Sequence, residues 1–223
     1  MERIAHRGAK REFPENTLAA FAKAYERGAD AIELDVHCTR DGVVVVHHDP
    51  TIPIRVSRLT NRAIADLDWS VLSAIDLGDG ATIPTLDDVL DSTPADATVY
   101  VEVKGTGIEE RVVEVLRRHD TRCAVHSFDH AAVGRLAMLA PDVPRGILLE
   151  HAVRDVVTAM KAVSARDVWP EWKLIDRDLV DRVHAAGGRV IAWTVNERSA
   201  AQQLIGMGVD GLCTDDVRLL DGL

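Results

Sequence analysis

No run of basic residues occurs anywhere in this 223-residue chain, and its formal net charge is -10. Such a field repels nucleic acid and anionic membrane surfaces at long range, so neither is an expected partner. No apolar stretch approaches the roughly 20 residues that a membrane-spanning helix needs. Low-complexity tracts are missing, and 47% hydrophobic residues spread along the chain exclude wholesale disorder. Cysteine is scarce: Cys38, Cys123 and Cys213 are an odd number at wide spacings that fit neither a zinc nor a redox pattern. They read as reduced core residues. No glycine-rich loop follows the first strand-like run, which weighs against an open nucleotide-binding sheet. The first 15–30 residues or so, where a signal peptide would lie, already hold a strand and a candidate site histidine, His6. A cytoplasmic location is therefore expected.

What is present is an alternation of short β-branched runs with helical-period segments. Strands are expected at Arg3–His6, Ala31–Val36, Val99–Lys104, Cys123–Phe128, Arg145–Glu150, Arg166–Trp169, Val190–Val195 and Val209–Cys213. Amphipathic helices fall between them, as at Leu18–Arg27, Glu109–Arg118, Leu179–Ala186 and Ala200–Met207. Gly28, Gly187 and Gly208 follow three of these as stop signals. Eight such units favour a closed (β/α)8 barrel of the TIM type, with residues 1–223 as one domain. One segment breaks the rhythm. Val43–His48 follows the second strand too closely for a helical crossover, so it should return antiparallel through a two-residue loop at Asp41-Gly42. An irregular excursion then runs to about residue 83, making a small cap insertion at about 37–83. A connection of that length in a compact domain points to function.

Glu33 and Asp35 share one face of an otherwise apolar strand, while Ile32, Leu34 and Val36 claim the helix-facing side. Across a two-residue loop, His48 would lie opposite Asp35. The carboxylates thus point inward at the carboxyl end of a barrel strand, where barrel active sites sit. Buried carboxylates need a partner, and a divalent cation is the natural one. Glu102 and Lys104 repeat the pattern on the third strand. Three carboxylates on neighbouring strands make a hard oxygen site for Mg²⁺ or Ca²⁺, whereas zinc would recruit more nitrogen or sulfur. At the end of the first strand, Arg7 offers a planar fork for phosphate oxygens and Gly8 allows close approach of backbone to ligand. His6 and His48 at one mouth could act as acid and base of a single displacement.

His6-Arg7-Gly8, Pro14-Glu15-Asn16-Thr17, Glu33-Leu-Asp35-Val36, Asp41-Gly42, His48-Asp49-Pro50 and Glu102-Val-Lys104 resemble, in order, the motifs of the glycerophosphodiester phosphodiesterase family. Ser127-Phe128, Trp193-Thr-Val-Asn196, Gly208-Val-Asp-Gly211 and Thr214-Asp215 carry the likeness to the C-terminus. The resemblance implies hydrolysis of a small-molecule glycerophosphodiester on a barrel with an insertion after its second strand. It implies that Glu33, Asp35 and Glu102 hold the metal and that His6 and His48 are the acid–base pair. Arg7 and Lys104 would neutralise the phosphate, with Phe128 and Trp193 lining the apolar side. The chain departs from the family pattern at Thr51-Ile-Pro-Ile-Arg-Val-Ser57 and around Trp169–Trp172. Two other classes stay open: a barrel metallohydrolase acting on another ester or amide, and a non-catalytic phosphodiester-binding protein.

The remaining eye-catching residues take plainer readings. His37 is expected at the rim and His47 in a structural place. Asn16 or Thr17 should cap the first helix. Glu150 and Asp215 read as surface or loop hydrogen-bonding groups, and Trp169 and Trp172 as packing. His119, His126, His130, His151 and His184 have no partner that the sequence names.

Overall fold

Eight parallel strands close into a ring in the computed structural model, which describes residues 1–55, 59–78 and 80–223. In chain order the elements begin β1 (Glu2–His6), α1 (Leu18–Glu26), β2 (Ala31–Cys38), β3 (Val44–Val46), β4 (Thr51–Arg55) and β5 (Leu59–Ala63). Next come α2 (Trp69–Leu72), β6 (Asp76–Gly78), β7 (Ala81–Thr82), α3 (Leu86–Ser92), β8 (Thr98–Val103) and α4 (Glu109–Leu116). Then follow β9 (Arg122–Ser127), α5 (His130–Leu139), β10 (Arg145–Leu149), α6 (Val156–Ala162) and β11 (Asp167–Pro170). The chain ends with α7 (Arg177–Ala185), β12 (Arg189–Ala192), α8 (Arg198–Met207) and β13 (Gly211–Thr214). The staves are β1, β2 and β8 to β13, each paired in parallel with the next, and β13 closes onto β1. This is the expected (β/α)8 barrel, with strands and helices at the expected places. Among the described residues no helix is long and apolar enough to cross a membrane.

Strand parity builds the core in two shells. Ile4, Ala31, Tyr100, Ala124, Leu148, Trp169, Ile191 and Cys213, one from each stave, pack inside the ring. Their neighbours, such as Ile32, Leu34 and Val36, face outward onto the helices. Below the inner layer, the Tyr100 hydroxyl donates to Glu2 (2.6 Å) and Arg189 donates to the same carboxylate (2.7 Å). Helix starts are set by side-chain oxygens: Thr17 caps α1, a reciprocal Thr85–Asp88 box caps α3, and Asp129, Asp155 and Asp176 cap α5, α6 and α7. All three cysteines are free. Cys213 is buried as expected, but Cys38 and Cys123 are only half-buried against the outer core.

The second-strand insertion differs from expectation in two ways. β2 and β3 do pair antiparallel, but Val36 faces Val46 and Cys38 faces Val44, one residue off the expected register. The loop holds three residues, 40–42, because Thr39 N–H bonds the Val43 carbonyl and Gly42 takes φ +88°. Thr39 Oγ1 donates to Asp41 and accepts from Val43 N–H, locking that turn. His47, not His48, therefore stands across from Asp35, with His47 N–H bonded to the Asp35 carbonyl. The excursion beyond β3 is also not irregular. β4–β5 and β6–β7 form two small hairpins, and Val45, Ile52, Ile64, Leu67, Leu72 and Ile83 bury a cluster of their own. Residues 56 and 57 of the segment that departs from the family motif lie outside the described residues.

Gly8 is explained by packing. Arg7 and Gly8 leave β1 with φ of 57° and 82°, turning the chain against α1. A Cβ at Gly8 would lie 2.7 Å from the Ala20 backbone carbonyl carbon. The glycine lets strand and helix meet.

Candidate active site

Every candidate side chain but His48 leaves the carboxyl end of a stave, and His48 reaches the same mouth from the end of the antiparallel β3. His6, Arg7, Glu33, His48, Glu102, Lys104, Phe128 and Trp193 all line one cavity of about 260 Å³. Asp35 lies beneath it, fully buried. The structure thus brings eight of the nine expected residues to a common surface and places the ninth under its floor. Phe128 and Trp193 meet edge to face, with ring centroids 5.4 Å apart, and make an apolar wall.

The two histidines are braced alike. His6 Nδ1 is 2.7 Å from Asp215 Oδ1, and His48 Nδ1 is 2.7 Å from Asp49 Oδ1. An ionised carboxylate only accepts hydrogen bonds, so each Nδ1 carries a proton and each Nε2 is left for the cavity. His6 Nε2 lies 4.0 Å from Glu33 Oε2. Burial works to raise the Asp215 carboxyl. The hydrogen bond and charge of His6, with Lys10 and Asn196, outweigh it and hold the group far below the ordinary range. Asn196 Nδ2 donates to Asp215 Oδ2 at 2.8 Å, and Lys10 Nζ lies 3.4 Å from Oδ1.

The carboxylates divide into two kinds. Asp35 meets Arg7 Nε at 3.0 Å, accepts from Asn16 Nδ2 at 2.9 Å and lies 3.6 Å from Lys104 Nζ. Burial alone would raise its pKa, but Arg7, Asn16 and Lys104 lower it below the ordinary value. Glu33 and Glu102 have less cationic support, and burial followed by the charge of Asp35 pushes both up. Lys104 Nζ donates to Glu102 at 3.2 Å. Among the described residues, Glu33 Oε2, Asp35 Oδ1 and both nitrogens of His126 are buried with no hydrogen-bond partner. Leaving such a group unbonded costs about 1–3 kcal/mol. One ligand atom from each of Glu33, Glu102 and His126 falls within 4.8 Å of the others. These orphaned donors fit a divalent cation.

A model of the glycerophosphoryl diester phosphodiesterase family matches residues 6–219. The chain belongs to that family. It is 33% identical to a glycerophosphodiester phosphodiesterase of Caldanaerobacter subterraneus subsp. tengcongensis, over 99% of this chain and 96% of the relative. Among solved structures it is similar to an Oleispira antarctica phosphodiesterase in complex with the product sn-glycerol-3-phosphate. That likeness has a TM-score of 0.89 and 27% identity, covering 99% of this chain and 95% of the other. A glycerophosphodiester phosphodiesterase from Agrobacterium tumefaciens gives a TM-score of 0.88 and 26% identity, with complete coverage of both chains.

Several residues of this family member sit differently from the plain sequence reading. Asp215 is the partner of His6 rather than a surface group, and Glu150 lines the cavity. Thr17 caps α1, whereas Asn16, at φ 58°, turns inward to Asp35. His37 is buried rather than at the rim, and its Nε2 lies 3.1 Å from the His48 carbonyl oxygen, steadying that loop. His126 is buried at the cavity floor, where burial drives its imidazole down to about 4. Trp169 packs in the inner layer as expected and also floors the cavity. His119 and His184 bind surface carboxylates, Asp87 and Asp210.

The raised carboxyls give metal-free protein a pH dependence of definite sign. Glu33 and Glu102, raised to about 7, hold protons that the unfolded chain has already released, so stability falls as pH rises. The lowered imidazoles of His37, His47 and His126 act oppositely, and their effect fades as pH rises past their ordinary value of 6.5. From about pH 7 to 8 the carboxyls outweigh them. The melting temperature of metal-free protein should drop across that span by no more than ~2 °C in a chain of this size. A bound divalent cation should flatten the drop. A melting temperature that rises over this span in metal-free protein would contradict the assignment.

Proposed function

We propose that this chain hydrolyses glycerophosphodiesters to glycerol 3-phosphate and an alcohol, with one divalent cation held by Glu33, Asp35 and Glu102. The observation that carries it is the pairing, at one mouth, of two carboxylate-braced histidines with buried carboxylate oxygens that have no partner among the described residues. Family membership supplies the substrate class. As an all-oxygen set, the three carboxylates suit Mg²⁺ or Ca²⁺. When bound, the cation supplies Lewis-acid polarisation of a phosphoryl oxygen.

The chain's own groups do the rest. Arg7 and Lys104 offset negative charge on the non-bridging oxygens, and Phe128 with Trp193 bounds the apolar side. One histidine takes the proton of the attacking hydroxyl as its oxygen bonds to phosphorus. The other delivers a proton to the alcohol oxygen as its bond to phosphorus breaks. The attacking hydroxyl can be water or the 2-hydroxyl of glycerol, in which case the cyclic phosphate is opened in a second passage through the same pair. The insertion beyond His48 serves as a cap on one side of the mouth.

Purified protein given a panel of glycerophosphodiesters and a divalent cation is expected to release glycerol 3-phosphate, read by a coupled dehydrogenase. Release of the alcohol's phosphate instead of glycerol 3-phosphate would refute the reading, as would turnover of carboxylic esters alone.

A further inference from the structure

The chemistry proposed above makes no use of His126. This residue is 1% exposed and sits on β9, level with Glu102 on the neighbouring stave. Among the described residues neither ring nitrogen has a hydrogen-bond partner. Its Nε2 is 3.8 Å from Glu33 Oε1. The ring is held from two sides. Trp169 meets it edge-on at 4.4 Å between centroids, and Tyr100 lies parallel to it at 6.3 Å. A histidine kept only for packing in so dry a place would ordinarily satisfy at least one nitrogen, as His130 and His37 do on backbone carbonyls. His126 instead presents an unbonded nitrogen toward Glu102 and toward Glu33, whose Oε2 has no partner among the described residues.

We infer that His126 is a nitrogen ligand to the divalent cation at Glu33 and Glu102, and that it shifts the site's preference from Mg²⁺ or Ca²⁺ toward first-row transition ions such as Co²⁺ or Zn²⁺. This rests on the proposed presence of a cation there and revises which cation it is. Alkaline-earth ions take oxygen ligands and gain little from imidazole, whereas affinity for nitrogen climbs along the first transition row. Tyr100 and Trp169 fix the plane of the ring, so the nitrogen is presented without reorganisation.

Calorimetry of the full chain with Co²⁺ and with Ca²⁺ tests the assignment in wild type and in His126→Gln. The substitution is expected to weaken Co²⁺ at least 10-fold and to change Ca²⁺ less than about 3-fold. Pulsed electron paramagnetic resonance of Mn²⁺-loaded wild type should show coupling to one directly bound ¹⁴N, a readout that stands even if the variant does not fold. Metal binding without that nitrogen coupling overturns the inference and leaves the proposed function intact. Equal weakening of both ions reduces His126 to a prop for Glu33 and overturns it too. Failure of every divalent cation to bind wild type removes the proposed metal site itself, and the inference with it.

Discussion

Stripping divalent metal with EDTA is expected to lower glycerophosphodiester hydrolysis by at least about 10³-fold, with recovery when a divalent cation is returned. The expectation follows from three carboxylates buried at one mouth, two of which keep an oxygen without a hydrogen bond among the described residues. On the proposed roles Arg7 and Lys104 would still face the phosphate in stripped protein, but Asp35 and Glu102 already draw on both cations. They cannot replace the lost charge. Glu33→Gln should reproduce the loss at cation concentrations that saturate wild type, without unfolding the barrel, since Glu33 lies above the packed inner layer. Steady-state assays beside metal titrations decide the matter. Full activity in thoroughly stripped protein would end the case for Glu33, Asp35 and Glu102 as ligands.

Replacing the general acid is expected to separate substrates by their leaving groups. An alkyl oxygen needs a proton as it departs, and a nitrophenyl oxygen does not. At one of the two positions, His6→Ala or His48→Ala, hydrolysis of an alkyl diester should fall by about 10²–10⁴-fold while a nitrophenyl diester keeps much of its rate. At the other position both substrates should suffer alike, because activation of the nucleophile is needed whatever leaves. Asp215→Asn should mimic His6→Ala in weaker form, since the amide can leave the imidazole in the wrong tautomer. Equal loss on both substrates at both positions, with metal binding intact, would refute separate acid and base roles.

Much of the barrel was legible because its signals are local. Two carboxylates spaced by two among Ile32, Leu34 and Val36 announce which face turns inward, and Gly28, Gly187 and Gly208 mark helix ends by composition alone. What stayed hidden depends on pairing between distant segments. Nothing in Ala124-Val-His-Ser127 distinguishes His126 from an ordinary strand histidine until β8 and β9 set it level with Glu102. Asp215 reads as a loop acid until Ala5 pairs with Thr214, which brings His6 beside the residue that follows. Asn16 imitates a helix cap because it precedes Thr17, and only its positive φ turns the amide toward Asp35. The hairpin register slipped by one residue because Thr39 and Asp41 build a side-chain-locked turn in place of a bare two-residue loop.

Closure of the ring by β13 against β1 also governs when the protein can first work. His6 reaches its carboxylate across 209 residues of sequence, so the pair exists only once the last stave is in place. A contact of such range carries the loop-closure entropy of nearly the whole chain and forms late. Until then a folding chain exposes one open edge on β1 and another on β12, both able to pair with the wrong partner. Helices and outer clusters can assemble stave by stave, well before any catalyst exists. On refolding, regained activity therefore times the joining of the two ends of the sheet, and circular dichroism times everything that precedes it.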